Sequence, residues 1–153
     1  MKIGVISDTH GFLDPKVHQL FAGANHILHA GDIGPEAIIT ELETIAPVTK
    51  VSGNTDGSPN FPPFATVELA GRKFLVHHIV DPMALKDHLR LRIAEERPDV
   101  VVFGHTHRAF WGTIDGIAYL NPGYAGKPKS GLQRSVAVVR CGGNEICREF
   151  FQL

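Results

Sequence analysis

The first 52 residues alternate short strand-like runs with amphipathic stretches, and this alternation restricts the possible fold more than any other feature of the sequence. The strand-like runs occupy positions 2–7, 26–30 and 48–52. Between them, apolar residues recur at helical spacing over positions 15–24 and 36–45. Alternating strands and helices favour a parallel sheet with helices packed on its faces. We therefore predict an α/β protein that begins with a βαβαβ unit.

The rest of the chain is predicted to contain one long helix and several strands. The helical pattern covers residues 82–96, and Gly71-Arg72 is expected to be a two-residue hairpin turn. The nearly all-apolar run at residues 99–103 is typical of a strand buried on both faces. Together the strand patterns lie at residues 66–70, 73–76, 99–103, 110–114, 117–120, 135–140 and 146–151. No linker or repeat divides the sequence, so we expect one domain over residues 1–153.

The composition is that of an ordinary globular protein, with 43% hydrophobic and 20% charged residues. A net charge of -1 provides no broad basic surface for nucleic acid. No apolar run approaches the roughly 20 residues that cross a bilayer, so we expect a cytoplasmic protein that does not bind membranes. Cys141 and Cys147 flank Gly142-Gly143-Asn144 in a predicted terminal hairpin and are expected to be structural or incidental thiols. The oligomeric state stays open, a homo-oligomer included.

Side chains that can bind a metal ion follow five of the predicted strands. In open α/β sheets, ligands bind outside the carboxyl ends of the strands, where loops from separate strands meet. We therefore expect these side chains to converge on one site. The seven candidates are Asp8, His10, Asp32, Asn54, His77, His105 and His107.

The chemistry of these seven donors indicates transition-metal binding. Carboxylates, an amide oxygen and imidazoles together suit manganese, iron, zinc, cobalt or nickel better than calcium. Seven donors exceed the need of one ion and suit two ions that share a carboxylate. We expect manganese, with the other four metals as alternatives. Glycines at positions 31, 53 and 104 would permit close backbone approach beside the ions.

Taken singly, most of these residues have simpler explanations. Asp32 alone would be an N-cap or turn residue, and Asn54 alone would be a turn residue. His77 and His78 alone would be ordinary polar residues at the end of a strand. Only Gly104-His105-Thr106-His107 indicates a metal by itself, so the metal prediction rests on the ordered set. The remaining histidines fall within helical or strand patterns and are predicted to be structural: His18, His26, His29 and His88.

The ordered motifs resemble the calcineurin-like metallophosphoesterase superfamily and, within it, the small YfcE-like phosphodiesterases. The motifs are Asp8-x-His10, Gly31-Asp32, Gly53-Asn54, His77, Gly104-His105-x-His107 and Asn121-Pro122-Gly123. The resemblance implies a four-layer α/β/β/α sandwich of two mixed sheets flanked by helices. It also implies that a metal-bridging hydroxide attacks phosphorus in line.

The resemblance further implies a role for each site residue. One ion would be bound by Asp8, His10, Asp32 and His107. The other would be bound by Asp32, Asn54, His77 and His105. Asp32 would bridge the ions, and the catalytic residues would be Asp32, His10, His105 and His107. The substrate-binding residues would be Asn54, His78, Asn121, Gly123 and Tyr124.

Three departures from the family pattern bear on the substrate. Thr55 follows Asn54, where many monoesterases have a histidine that protonates the leaving group, so we predict a preference for small diesters. His78 follows His77 in place of a His-Gly-His motif, and it either replaces the missing imidazole or faces solvent. Tyr124 stands where serine is common and could narrow the pocket or stack on a substrate ring.

Other functions remain as alternatives to a phosphodiesterase. A binding scaffold like the retromer subunit of similar fold would use its surface, for which Phe61, Phe64 and Trp111 are candidates unless they pack inside. A phosphomonoesterase, a nuclease or a cyclic-nucleotide phosphodiesterase could use the same metal site. A polymer substrate is disfavoured because the chain lacks a strongly basic segment.

Overall fold

Ten strands and three helices make up the fold in the computed structural model, which describes residues 1–143 and 145–153. In chain order the elements are β1 (Lys2–Ile6), α1 (Lys16–Leu20), β2 (His26–His29), α2 (Ala37–Glu43), β3 (Val48–Lys50), β4 (Phe64–Leu69), β5 (Arg72–His77), α3 (Asp87–Glu96), β6 (Val100–Val102), β7 (Phe110–Ile114), β8 (Ile117–Asn121), β9 (Ser135–Gly142) and β10 (Glu145–Gln152).

The strands form two mixed sheets of five strands each. The first sheet has the order β10-β9-β1-β2-β3, in which β1, β2 and β3 are parallel and β9 is antiparallel to β1. The second sheet has the order β4-β5-β6-β8-β7, in which β5, β6 and β8 are parallel and the two edge strands are antiparallel to their neighbours. The initial βαβαβ unit therefore forms the parallel part of the first sheet, as predicted.

Apolar side chains fill three spaces and thereby define four layers. The space between the sheets holds side chains of both, such as Val5, Leu28, Phe74, Val76 and Val102. Helices α1 and α2 pack on the outer face of the first sheet, and α3 packs on the outer face of the second. Burying one such side chain stabilises the fold by about 1.5–3 kcal/mol. The predicted α/β/β/α sandwich is confirmed.

The helices are shorter than their sequence patterns predicted. Helix α1 covers only part of residues 15–24, and α3 begins at Asp87 instead of at residue 82. Before α3, the Asp81 carboxylate accepts a hydrogen bond from the Met83 N–H at 3.0 Å, and this local turn competes with helix formation. Helix α3 ends at Glu96, and the next residue, Arg97, has a left-handed φ of 49°. No helix in residues 1–143 or 145–153 is long and apolar enough to cross a membrane.

The hairpin between β4 and β5 turns one residue earlier than predicted. Ala70 and Gly71, with φ of 52° and 71°, form the turn, and Arg72 already belongs to β5. Successive side chains of β5 point to opposite faces of the sheet. Phe74 and Val76 face the space between the sheets, whereas Leu75 faces α3. This alternation decides which residue near the end of β5 reaches the site.

The predicted terminal hairpin is formed by β9 and β10, although Asn144 of its predicted turn lies outside the described residues. Cys141 pairs with Ile146 and Cys147 pairs with Arg140 across the hairpin. Cys141 is buried in the space between the sheets, and Cys147 is exposed on the edge strand. Both thiols are free, in agreement with their predicted incidental role.

Candidate metal centre

Loops from both sheets meet beside the carboxyl ends of β1, β2, β3, β5 and β6. The first three strands belong to one sheet and the last two to the other, so the site lies where the two sheets meet. Six of the seven predicted ligands reach this place, together with one histidine that was not among them. The clustered residues are Asp8, His10, Asp32, Asn54, His78, His105 and His107.

One half of the cluster is centred on the Asp8 carboxylate. Its Oδ1 atom lies 3.2 Å from Nε2 of His107 and 3.9 Å from Nε2 of His10. The ligand atoms of these three residues all lie within 4.8 Å of one another. Asp32 connects this half to the other, because its Oδ2 lies 3.7 Å from Nε2 of His10.

The other half is centred on His78, whose Nε2 lies 3.3 Å from Oδ2 of Asp32 and 3.1 Å from Oδ1 of Asn54. The same Asn54 oxygen lies 3.1 Å from Nδ1 of His105. The two halves share both carboxylates, since Asp8, Asp32 and His78 also offer ligand atoms within 4.8 Å of one another.

The choice of His77 as a ligand is corrected by the direction of its side chain. His77 is the last residue of β5 and lies on the same face as Leu75, toward α3. Its Nδ1 is 2.8 Å from the Pro63 carbonyl oxygen, and its ring lies beside that of His88. His78, one residue later, points into the space between the sheets as Val76 does. The alternation of strand residues was the signal that identifies His78.

The tautomer of His78 supports a cation at this place. Its Nδ1 lies 2.7 Å from the Ala30 carbonyl oxygen, which can only accept, so Nδ1 carries the proton. In the neutral ring, Nε2 then presents a lone pair to Oδ2 of Asp32. Two lone pairs facing each other repel unless a metal ion or a second ring proton lies between them. A backbone carbonyl bound to the far ring nitrogen is also the usual support of a metal-binding histidine.

Asp8 provides a second test of whether the residues fit a metal. The Asp8 side chain is fully buried, and its Oδ1 has no hydrogen-bond partner among the described residues. Its Oδ2 accepts hydrogen bonds from the Ser7 hydroxyl at 2.7 Å and from the His105 N–H at 3.1 Å. Burial raises the pKa of Asp8, although the Ser7 hydrogen bond and the imidazoles of His78 and His107 oppose that rise. A buried oxygen without a donor fits a bound cation.

Asp32 is held in its ionised form by Thr55. Its Oδ1 accepts hydrogen bonds from the Thr55 N–H at 2.9 Å and from the Thr55 hydroxyl at 2.7 Å. Burial raises the pKa of Asp32, but these hydrogen bonds and the neighbouring imidazoles outweigh it, so the pKa lies below its usual value. Oδ1 is thereby fixed, and Oδ2 faces His10 and His78.

The backbone is strained at the candidate ligands. Eight described residues other than glycine have positive φ, and five of them belong to the cluster. A left-handed conformation costs about 1–2 kcal/mol for most side chains and about 1–3 kcal/mol at strained functional sites. Such strain persists where a site requires it. The five residues are Asp8, His10, Asp32, His105 and His107.

Two glycines allow the loops to approach each other closely. A Cβ atom at Gly104 would collide with the Ser7 hydroxyl and the Asp8 carboxylate, and one at Gly53 would collide with Asp32. Asp56 connects the same loops, because its carboxylate accepts hydrogen bonds from the N–H groups of Ile33, Gly34 and Gly53.

Two predicted substrate residues instead support the loop that carries His105 and His107. Asn121 is buried and donates to the Gly104 carbonyl and the Thr106 hydroxyl, while its own oxygen accepts from the Gly123 N–H. This network uses the polar groups of Asn121 and the Gly123 N–H for internal contacts. The expectation that Asn121 and Gly123 contact substrate is corrected accordingly.

Tyr124 does not have one of its two predicted roles, that of stacking on a substrate ring. Its side chain is only 1% exposed, and its ring centroid lies 4.8 Å from that of His107. The ring therefore packs against a candidate ligand and is too buried to stack on a substrate ring. This packing restricts the orientation of the His107 imidazole.

The other histidines lie outside the cluster. His29 is fully buried; its Nδ1 accepts from the Gly31 N–H at 3.2 Å, and its Nε2 lies 3.0 Å from the Thr9 hydroxyl oxygen. Burial lowers the pKa of His29 to about 3. The remaining three contact Glu41 (His18), Thr49 (His26) and the ring of His77 (His88).

Comparisons with known proteins identify relatives across nearly the whole chain. The calcineurin-like phosphoesterase superfamily domain matches residues 1–144. A probable metallophosphoesterase of Methanothermobacter thermautotrophicus is 36% identical, over 99% of this chain and 92% of that protein. A phosphodiesterase of Methanocaldococcus jannaschii is 31% identical, over 80% of this chain and 83% of that protein. Among solved structures, Vps29 of Chaetomium thermophilum has a TM-score of 0.83 at 20% identity, over 99% of this chain and 88% of that one.

Proposed function

The chain belongs to the calcineurin-like phosphoesterase superfamily, and on that basis we propose that it is a two-metal phosphodiesterase that cleaves small diesters. The observation that carries the proposal is the pair of carboxylate oxygens, Oδ1 of Asp8 and Oδ2 of Asp32, that lie 3.2 Å and 3.3 Å from the imidazole nitrogens of His107 and His78, the first of them buried without a hydrogen-bond partner among the described residues. This donor set suits divalent transition ions, among which we propose manganese.

We assign the residues of the cluster to two ligand sets, with Asp32 as the ligand that bridges the two ions. One set is Asp8, His10, Asp32 and His107. The other set is Asp32, Asn54, His78 and His105, in which His78 takes the place predicted for His77. When bound, divalent ions lower the pKa of water and offset the charge of the phosphoryl group.

The residues of the chain prepare the site for an anionic substrate. Asp8 and Asp32 fix two buried negative charges that would attract the ions, and Ser7 and Thr55 hold the carboxylates in place. His10 and His105 lie on the exposed side of the cluster, where their side chains can contact a bound phosphate. Oriented groups of this kind stabilise charge that develops during the reaction.

The preference for diesters is supported by Thr55. A histidine at this position could protonate a leaving alkoxide, whereas the Thr55 hydroxyl donates to Asp32 and is not an acid near neutral pH. Without that acid, esters with good leaving groups should be cleaved best. The similarity to the phosphodiesterase of Methanocaldococcus jannaschii agrees with this choice.

Steady-state kinetics with Mn²⁺ test the proposal. We expect kcat/KM for bis(p-nitrophenyl) phosphate to exceed that for p-nitrophenyl phosphate, and removal of metal by a chelator to abolish both activities. Thr55→His should raise kcat/KM for phenyl phosphate, which has a poor leaving group, more than for p-nitrophenyl phosphate, by up to about a hundredfold if the imidazole acts as a general acid. A wild-type preference for the monoester would overturn the diesterase assignment.

The scaffold alternative has less support from the surface. Phe61 is buried, Trp111 packs against the core between the sheets, and the Arg92 guanidinium covers the Phe64 ring at 3.8 Å. These three residues therefore do not form one exposed apolar patch. The likeness to Vps29 at 20% identity concerns the fold alone.

A further inference from the structure

A groove of about 630 Å³ lies beside the candidate metal centre on its His105 side. One wall is the segment after β5, with Ile79 and Pro82, and the other is the segment from Phe103 to Phe110. A volume of about 300–1,000 Å³ is typical of pockets for small organic ligands. The groove is therefore large enough for part of a substrate.

The groove is continuous with the cluster. His105 and Thr106 line it, and Nδ1 of His105 lies 3.1 Å from the Asn54 oxygen at the centre of the second ligand set. A phosphate ester whose phosphorus lies at the metal centre would therefore have one of its arms at the mouth of the groove.

The lining of the groove is mainly apolar and partly aromatic. Ile79 and Phe110 are 38% and 39% exposed, so both leave apolar surface open to a ligand in the groove. The Phe110 ring lies 6.1 Å from the Phe103 ring at an angle of 56°, a spacing that suits aromatic packing. A planar ring entering the groove would contact Phe110 and bury both surfaces.

Arg108 adds one cation to this surface. It makes no hydrogen bond or ion pair that involves another described residue, and its guanidinium can stack on an aromatic ring or bind a phosphate oxygen. Asp81 lines the same groove, but its carboxylate accepts from the Met83 N–H. On the His107 side, a second groove of about 610 Å³ has a more polar lining that includes Gln133, Arg134 and Ser135.

We infer that the groove between Ile79 and Phe110 is the subsite for one ester arm of the substrate and that this arm carries a planar aromatic ring. The inference rests on the proposed phosphodiesterase function and adds the substrate class to it. Phosphodiesters with an aryl or nucleobase-like group should therefore be preferred over diesters with two small alkyl groups.

Kinetics on Mn²⁺-loaded protein test the inference with two substrates that share a leaving group. These are bis(p-nitrophenyl) phosphate and methyl p-nitrophenyl phosphate. Phe110→Ala and Ile79→Ala should each lower kcat/KM for the bis-aryl ester about tenfold to a hundredfold, because an apolar contact surface is lost. Phe150→Ala, which truncates a 37% exposed phenylalanine in the other groove, is the matched control and should change it less than twofold.

The two substrates also distinguish the arms. A loss confined to the bis-aryl ester would mean that the retained arm occupies the groove, and an equal loss for both esters, absent in Phe150→Ala, would mean that the leaving arm does. If neither ester is affected by either groove variant, the subsite is wrong.

A binding measurement separates failure of the subsite from failure of the proposed function. Diphenyl phosphate and dimethyl phosphate would be titrated into Zn²⁺-loaded protein while the methyl NMR signal of Ile79 is followed. We expect diphenyl phosphate to shift that signal and to bind at least tenfold more tightly than dimethyl phosphate. The shift without any metal-dependent hydrolysis would overturn the diesterase, whereas hydrolysis without the shift would overturn the subsite.

Discussion

The two sheets contribute different chemistry to the candidate metal centre. Loops of the first sheet supply both carboxylates, Asp8 and Asp32, with His10 and Asn54 beside them. Loops of the second sheet supply only imidazoles, those of His78, His105 and His107. All of the negative charge therefore lies on one side of the site.

The two sides are also held in place differently. Asp8 and Asp32 are fixed mainly by neighbours in their own sheet, Ser7 and Thr55. Two of the imidazoles contact the opposite sheet, because His78 binds the Ala30 carbonyl and His105 contacts Asn54. These two imidazoles reach their partners only when the sheets are packed together.

The largest effect on activity should come from Asp8→Asn, which removes one of the two negative charges that the first sheet contributes. Asparagine tolerates the left-handed backbone, and its amide can donate to His107 where Asp8 has an unpaired oxygen. We expect metal-dependent activity to fall about 10³-fold to 10⁴-fold, since several kcal/mol of charge stabilisation are lost. Bound metal, measured by elemental analysis, should fall as well.

The same substitution should stabilise the metal-free protein. The pKa of Asp8 is raised by burial, so above its unfolded pKa near 3.8 the ionised carboxylate opposes folding. Removing that charge should increase the free energy of unfolding at pH 7 by about 1 kcal/mol. Unfolding in urea without metal measures this change, and a less stable variant would show that the buried carboxylate is not a cost to the fold.

The contribution of the imidazoles from the second sheet is tested by His78→Ala, with His77→Ala as its matched control. His78→Ala removes a candidate ligand and the bond to Ala30, and we expect kcat/KM to fall about 10²-fold to 10³-fold. His77→Ala removes a contact with Pro63 on the opposite face and should cost less than about threefold. Equal losses in the two variants would contradict the assignment of His78.

The buried His29, which lies in the first sheet, should make the free energy of unfolding depend on pH. The folded protein keeps His29 neutral down to a pKa of about 3, whereas the unfolded chain takes up a proton near pH 6.5. Because the folded pKa is depressed, the stability contribution is present above about pH 6.5 and is lost as pH falls toward 3. Between pH 7 and pH 4 the loss should be about 3 kcal/mol.

The control for this prediction is His29→Asn, whose Oδ1 can accept from the Gly31 N–H in place of Nδ1 without gaining a charge. Urea unfolding of the metal-free proteins at several pH values should give a smaller loss of stability for the variant on acidification. If the free energy of unfolding falls with pH equally in the two proteins, His29 is not the cause of the loss of stability in acid.

The smallest effect on activity should come from Thr55→Val, which removes one of the two hydrogen bonds that hold the Asp32 carboxylate. This change removes the hydroxyl donor to Asp32 and leaves the backbone N–H in place, so the pKa of Asp32 should rise. We expect metal affinity and kcat/KM to fall about tenfold, the lower end for residues that orient a ligand. Thr55→Ser, which keeps the hydroxyl, should restore both; a similar loss in Thr55→Ser would show that the methyl group matters instead.

Sequence patterns predicted the strands well and the ends of the helices poorly. Strands β1, β2, β3 and β7 lie within their predicted ranges because short apolar runs reflect burial directly. The helices at residues 15–24 and 82–96 were predicted too long, since local turns such as the one at Asp81 compete with helix formation. The turn of the β4–β5 hairpin was predicted one residue late.

The sequence by itself determined the chemistry of the site, because each motif places its polar residues directly after an apolar strand and this relation is local. Which side chains face the cluster depended on tertiary structure. His78, not His77, reaches it because β5 presents alternate residues to the other sheet and to α3. The buried Tyr124 ring packs against that of His107, and no local pattern encodes a contact between these two residues.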